Sequence, residues 1–106
     1  MQTAAEFDRC SQKLAALAEP TRLHIAHRLM ARGPACVTEL ARELGIAIPM
    51  ASHHLRQLRV AGIVQSYQRG RIVTYSLRPG IATNGNKLDL GGCQITLTTN
   101  QIGLPQ

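Results

Sequence analysis

Apolar residues recur at helical spacing through the first third of the chain. A first amphipathic helix is predicted over about residues 4–18, because apolar positions there follow steps of three and four: Phe7, Cys10, Leu14 and Leu17. Pro20 suits the first turn of a second helix, where its missing N–H has no partner to lose, and Gly33 with Pro34 ends that helix. The pattern therefore predicts two consecutive helices with a sharp junction between them.

Two shorter helices follow, with a tight connection between them. Thr38 is the predicted N-cap of the third helix, and Gly45 ends it. Pro49 opens the fourth helix and Gly62 closes it. Since only residues 45–47 separate the two apolar-periodic runs, the pair has the geometry of a helix-turn-helix.

Alternating apolar and polar positions predict strands in the rest of the chain. Residues 63–67 and 72–77 form a predicted hairpin with a basic tip at 68–71, and two alternating runs around Gly91 and Gly92 predict a second hairpin. The apolar face of this second hairpin needs cover from the first domain or from a second subunit. Residues from about 99 onward are expected to be frayed.

These elements define a fold class that is mainly α with small β. Residues 1–79 are predicted to form a winged helix-turn-helix domain of about four helices plus a β-hairpin wing. Residues 80–106 are predicted to form a linker and an additional C-terminal β-hairpin.

Charge is unevenly distributed along these elements. The formal net charge is +6 and the pI is about 10.1. Residues 46–86 contain no Asp or Glu, but they contain five arginines: Arg56, Arg59, Arg69, Arg71 and Arg78. A compact unit without acidic side chains, with arginines on a helix and at a hairpin tip, is suited to bind a polyanion. Duplex DNA is the expected polyanion.

The fourth helix has an apolar face and a polar face. Ala51, Leu55 and Leu58 form the stripe that must face the core. The opposite face and the start of the helix carry groups suited to base edges and phosphates, and the hairpin tip adds two cations. The candidate DNA-binding residues are Met50, Ser52, His53, Arg56, Gln57, Arg69 and Arg71. His53 is expected to point outward, and His54 to be an internal hydrogen-bonding group.

Composition narrows the possible functions. A chain of 106 residues with 44% hydrophobic and 17% charged residues fits one globular domain. No basic segment followed by an apolar run opens the chain, and no window approaches the ~18 apolar residues of a membrane span, so a cytoplasmic protein without a membrane partner is expected. The sequence contains no Gly-rich phosphate loop, no His-Glu-x-x-His motif and no acidic pair in its polar half. We therefore expect a protein that is not an enzyme and requires no cofactor.

Several short motifs, in order, make the chain resemble the ArsR/SmtB family of bacterial winged-helix repressors. They lie at residues 17–23 (LAEPTRL), 38–41 (TELA), 52–58 (SHHLRQL), 61–64 (AGIV), 70–71 (GR) and 75–77 (YSL). The resemblance covers residues 10–79. It implies a homodimer on an imperfect inverted repeat of double-stranded DNA, released by an effector that is often a metal ion or a thiol oxidant. By position it places Ser52, His53, Arg56 and Gln57 on the recognition helix, and 69–71 on the wing.

The chain departs from the family pattern at two places. Residues 47–50 read Ala-Ile-Pro-Met, where the family often has Ser, a polar residue, Pro and Thr, so the usual cap and two polar contacts are missing. Cys36-Val37-Thr38 stands where arsenic-type sensors carry Cys-Val-Cys. One thiolate cannot hold a soft metal ion alone. Either Cys36 recruits Cys10 or Cys93, in the same or the other subunit, or this metal site is lost.

The cysteines also have a plainer interpretation. Three cysteines at wide spacing argue against a disulfide framework, so they are expected to be reduced thiols, and buried free cysteine commonly acts as a small hydrophobe. A soft metal ion bound by Cys10, Cys36 and Cys93 is the alternative, and a redox pair is another. His24 and His27 lack supporting ligands and are expected to be ordinary helix residues.

Two hypotheses for function remain open. The leading one is a dimeric, sequence-specific transcriptional repressor. The alternative is a winged-helix protein-interaction module whose basic face docks an acidic partner without specific DNA binding. A single-stranded RNA binder has less support, because stacking platforms need aromatic residues and the chain has one Phe, two Tyr and no Trp.

Overall fold

The computed structural model describes residues 2–83 and 85–98. Helices and strands follow one another in the order α1 (Ala4–Leu17), α2 (Pro20–Arg32), β1 (Ala35–Cys36), α3 (Val37–Leu44), α4 (Ile48–Val60), β2 (Val64–Arg69), β3 (Ile72–Leu77), β4 (Lys87–Asp89) and β5 (Gln94–Thr96). This order confirms the fold class predicted from the sequence, a winged helix-turn-helix with an additional hairpin. In the described part of the chain, no helix is both long and apolar enough to cross a membrane.

The first two helices begin with strong local signals. Thr3 caps α1: its hydroxyl accepts from the Glu6 N–H at 3.2 Å, and the Glu6 carboxylate accepts from the Thr3 N–H at 2.8 Å. Pro20 occupies the first turn of α2, as predicted, and Glu19 caps this helix by accepting from the Arg22 N–H at 2.8 Å. The two helices are therefore separated by only two residues, Ala18 and Glu19.

The helix-turn-helix consists of α3, a three-residue connection and α4. Gly45 has φ of 70°, a left-handed conformation that ends α3 without the steric cost of a Cβ. The predicted N-cap of α3, Thr38, is wrong, because the helix begins two residues earlier with Cys36 as its N-cap. Glu39 explains the shift, since its carboxylate accepts from the Cys36 N–H at 3.1 Å.

The wing belongs to a three-stranded antiparallel sheet with strand order β1-β3-β2. Arg69 pairs with Ile72, so the turn contains only Gly70 and Arg71 and is shorter than the predicted tip. The short strand β1 was not predicted; it pairs Ala35 with Tyr75 and ties the wing to the segment before α3. The base of the wing is thus fixed to the helical domain.

The second hairpin forms as predicted, and the chain's own helical domain covers it. Leu88 and Leu90 are fully buried in the same cluster as Leu17, Ile25 and Leu55. The division into residues 1–79 and 80–106 as separate domains stays a prediction, although the core is continuous across it. The expected fraying from about residue 99 lies outside the described residues.

A disulfide joins this hairpin to α1. Cys10 and Cys93 are bonded across a sequence separation of 83 residues, with their Cα atoms 6.1 Å apart. The expectation of reduced thiols is therefore wrong for these two residues, because the hairpin folds back along α1 and brings the sulfurs together. Gly92 approaches α1 so closely that an added Cβ would lie 3.3 Å from the Glu6 carbonyl oxygen.

Candidate nucleic-acid interface

Helix α4 has the two faces that its sequence predicts. Ala51, Leu55 and Leu58 are fully buried, which fixes the opposite side of the helix toward solvent. His53, Arg56 and Gln57 are exposed on that side, and Ser52 is half-buried beside them. The exposed face therefore offers hydroxyl, imidazole, guanidinium and amide groups on one rigid element.

The tip of the wing carries the other two predicted cations. Arg69 ends β2, Arg71 lies in the turn, and both are exposed. The Gln68 side chain donates to the Gly70 carbonyl at 3.0 Å and braces the turn. Arg59 behaves differently, because its guanidinium donates to the Ser66 hydroxyl at 3.3 Å and links α4 to β2. The wing and α4 are therefore held in a fixed relation.

Glu43 is an acidic side chain of the helical domain whose partners lie away from this surface. Glu43 pairs with the buried Arg28 at 2.5 Å and with Arg32 at 3.2 Å, joining α2 to α3. The hydrogen bond from Arg28 holds the pKa of Glu43 below its usual value. Among the residues that the structure describes, the ion pairs include none of Arg56, Arg69 and Arg71. Three cations therefore remain free to meet an anionic partner.

The start of α4 is apolar and lacks a side-chain cap. Ala47 is the N-cap residue and makes no capping hydrogen bond. Ile48 and Met50 are about half-exposed, at 48% and 51%. Exposed apolar side chains beside a recognition surface can contact the methyl group of thymine. The structure thus places Met50 at the edge of the predicted interface, and its contact with DNA stays a prediction.

The two neighbouring histidines of α4 differ in exposure, as the sequence predicts. His53 is exposed, whereas His54 is 9% exposed with its Nδ1 atom 3.3 Å from Arg22 Nη1. The expectation that His54 is an internal hydrogen-bonding group is confirmed. His24 and His27 line an open groove of about 390 Å³ between α2 and Leu97.

The structure brings together two of the three cysteines. Cys10 and Cys93 form the disulfide, and Cys36 remains a free, half-buried thiol whose sulfur lies 3.1 Å from the Thr38 hydroxyl. Within residues 2–83 and 85–98, no group of three or more His, Cys, Asp or Glu side chains is placed to hold a metal ion. A metal site that uses all three cysteines would therefore require reduction of the Cys10–Cys93 disulfide, because only the thiolate binds a metal ion.

A helix-turn-helix, a wing and an unpaired basic face define a winged-helix DNA-binding protein. The family of bacterial regulatory proteins named arsR matches the chain over residues 19–66. The regulator Rv2034 of Mycobacterium tuberculosis, described as an HTH-type transcriptional regulator, is 41% identical over 90 residues, which cover 84% of this chain and 80% of that protein. The chain belongs to the arsR family, as the resemblance implied.

Two further comparisons describe the range of the family. A cadmium resistance transcriptional regulatory protein, the CadC homolog of Staphylococcus aureus, is 40% identical over 62 residues, or 58% of this chain. That match spans about half of the cadmium regulator, 51% of its length. The homodimeric winged helix-turn-helix DNA-binding domain Mb0332 of Mycobacterium bovis, a possible ArsR-family regulator, superposes with a TM-score of 0.64 at 30% identity over 72% of each chain. The family consists of transcriptional regulators, which are not enzymes.

Proposed function

We propose that this protein is a dimeric, sequence-specific repressor that binds an imperfect inverted repeat in double-stranded DNA. The observation that carries the proposal is the basic surface formed by α4 and the wing tip, whose arginines have no carboxylate partner in the described part of the chain. Arginines without carboxylate partners favour an anionic partner, because they would repel a basic one.

Each group on this surface has a role that its chemistry supports. Arg56 and Gln57 extend from the middle of α4 and are suited to bidentate contacts with guanine and adenine in the major groove. Ser52 and His53 lie one turn earlier, where they reach bases or phosphates. Arg69 and Arg71 at the wing tip would bind the flanking minor groove or its phosphates.

An inverted repeat requires two copies of the chain. Phe7 and Leu14 are 59% and 40% exposed, and they lie two turns apart on α1. Apolar side chains exposed at this spacing on one helix support an interface with a second α1. In such a dimer the two α4 helices would enter successive major grooves, roughly 34 Å apart.

The effector is proposed to act through the thiol pair rather than through a metal ion. Cys93 is half-buried, so an oxidant reaches it first, and the buried Cys10 is already in bonding position. A hydroperoxide would oxidise the Cys93 thiolate to a sulfenic acid and leave as the alcohol. The Cys10 thiol would then attack this sulfur, releasing water and forming the disulfide. Because α1 also carries the proposed dimer surface, locking the hairpin onto it gives a route to release from DNA.

A selection experiment tests DNA binding. Purified protein, kept reduced with dithiothreitol, is incubated with a random duplex library at fixed salt, and the retained duplexes are isolated by mobility shift and sequenced. The proposal expects enrichment of an inverted repeat with half-sites one helical turn apart. Retention without any preferred sequence, or no retention, would instead support the protein-interaction module.

A second experiment separates the two effector classes. Operator binding is compared for dithiothreitol-reduced protein, hydroperoxide-treated protein and protein with added Cd²⁺ or Zn²⁺. We expect the oxidant to release wild type but not Cys93→Ser, while Cys36→Ser responds like wild type. If metal ions release wild type from the operator but do not release Cys36→Ser, the metal hypothesis is favoured instead.

A further inference from the structure

The junction between α1 and α2 is held by side chains that also reach α4. Arg22 Nε donates to the Ala16 carbonyl at 2.6 Å, in the last turn of α1, where backbone carbonyls lack helical partners. Glu19 accepts from the Arg22 N–H at 2.8 Å and caps α2. Arg22 and Glu19 therefore provide hydrogen-bond partners for backbone groups at the end of α1 and the start of α2.

His54 connects this junction to α4. Its Nδ1 atom lies 3.3 Å from Arg22 Nη1 and 3.9 Å from Glu19 Oε1. A guanidinium group has donors but no acceptor, so Nδ1 must accept the hydrogen bond. The imidazole that makes this bond is therefore neutral, with its proton on Nε2.

We infer that His54 is a positioning residue for the recognition helix: its neutral imidazole, by accepting from Arg22, sets how α4 sits against the α1–α2 junction. The inference rests on the proposed function. His53, the next residue, lies on the exposed face of the same helix, with the two ring centroids 5.4 Å apart. A small displacement of α4 at His54 would thus move the predicted DNA contacts.

Packing alone does not account for an imidazole at this position. Ala51, Leu55 and Leu58 already bury the inner face of α4 completely. A polar group in such a place costs free energy unless it is hydrogen-bonded, and an apolar side chain would fill the space without that cost. The directional bond to Arg22 gives orientation that an apolar contact does not give.

Three variants test the inference in the full chain. His54→Asn keeps an acceptor near the Nδ1 position. His54→Leu has similar volume and no acceptor. His24→Asn is the matched control, because His24 is exposed on α2 and has no place in the binding surface. Each is measured against the duplex that wild type enriches and against an unrelated duplex.

His54→Leu should bind the selected duplex about tenfold more weakly, with affinity for the unrelated duplex unchanged. His54→Asn and His24→Asn should bind like wild type.

Two results would overturn the inference. One is wild-type affinity in His54→Leu; the other is an equal loss of affinity in His54→Asn and His54→Leu. If wild type enriches no duplex at all, the proposed function fails, but His54 can still be judged. Amide hydrogen exchange in α4 should then rise in His54→Leu and not in His54→Asn. Equal exchange in both variants would remove the positioning role.

Discussion

Shortening Leu88 to alanine tests whether the C-terminal hairpin is part of the core. The Leu88 side chain is fully buried, so the substitution removes its three terminal carbons from an apolar site, worth roughly 2.4 kcal/mol at about 0.8 kcal/mol per carbon. The cavity left behind adds to this, and measured Leu→Ala substitutions in cores cost about 2–5 kcal/mol. We expect a loss of about 3 kcal/mol in the free energy of unfolding.

Urea unfolding followed by circular dichroism measures this loss. Val60→Ala is the control, since Val60 is 78% exposed and its truncation should change stability by less than about 0.5 kcal/mol. Both variants are measured with and without dithiothreitol, because the disulfide constrains the unfolded chain. If Leu88→Ala unfolds within about 0.5 kcal/mol of wild type, the hairpin is not packed on the helical domain in solution. A cost that appears only at high protein concentration would mean that a second subunit covers it.

Three other predictions concern single contacts. Ala47→Ser supplies the missing cap of α4 and should raise the free energy of unfolding by about 0.5–2 kcal/mol in urea titrations, so no gain would contradict the uncapped start of the helix. The pKa of Glu43 is lowered, so its stabilising effect is present above the ordinary value of 4.5 and is lost as pH falls through the lowered pKa. Wild type should therefore lose stability on acidification more steeply than Glu43→Gln, and parallel curves would refute this. Arg69→Ala should weaken binding to all duplexes and reduce the salt slope by about 1, whereas a sequence-selective loss would place Arg69 on a base.

Local patterns were sufficient to predict most of the fold. The helical stripes on α1 and α4, the glycine at the end of α3, and the alternating residues around Gly91 and Gly92 all depend on neighbours close in sequence. The structure differs where contacts are distant or the signal is short. Strand β1 has two residues and no period to detect, and it exists because it pairs with β3.

In the candidate site, too, features set by near neighbours in sequence were predictable, and features set by distant contacts were not. Exposure of His53, Arg56 and Gln57 follows from the buried stripe on the same helix, so the sequence predicts it. The Cys10–Cys93 bond does not follow from spacing, since it forms only when the hairpin folds back across α1. The bond between Arg22 and His54 is likewise hidden in the sequence, because the partners are 32 positions apart and the whole of α3 lies between their helices.

Binding of Arg56→Ala and Gln57→Ala to the duplex that wild type enriches tests the DNA-binding proposal most directly. Each substitution should weaken retention in a mobility-shift assay by about 1–3 kcal/mol and relax selection at one position of the half-site. Arg9→Ala, which removes an exposed arginine from α1, should bind like wild type. Retention of full affinity and selectivity by both α4 variants would contradict the assignment of α4 as the recognition helix.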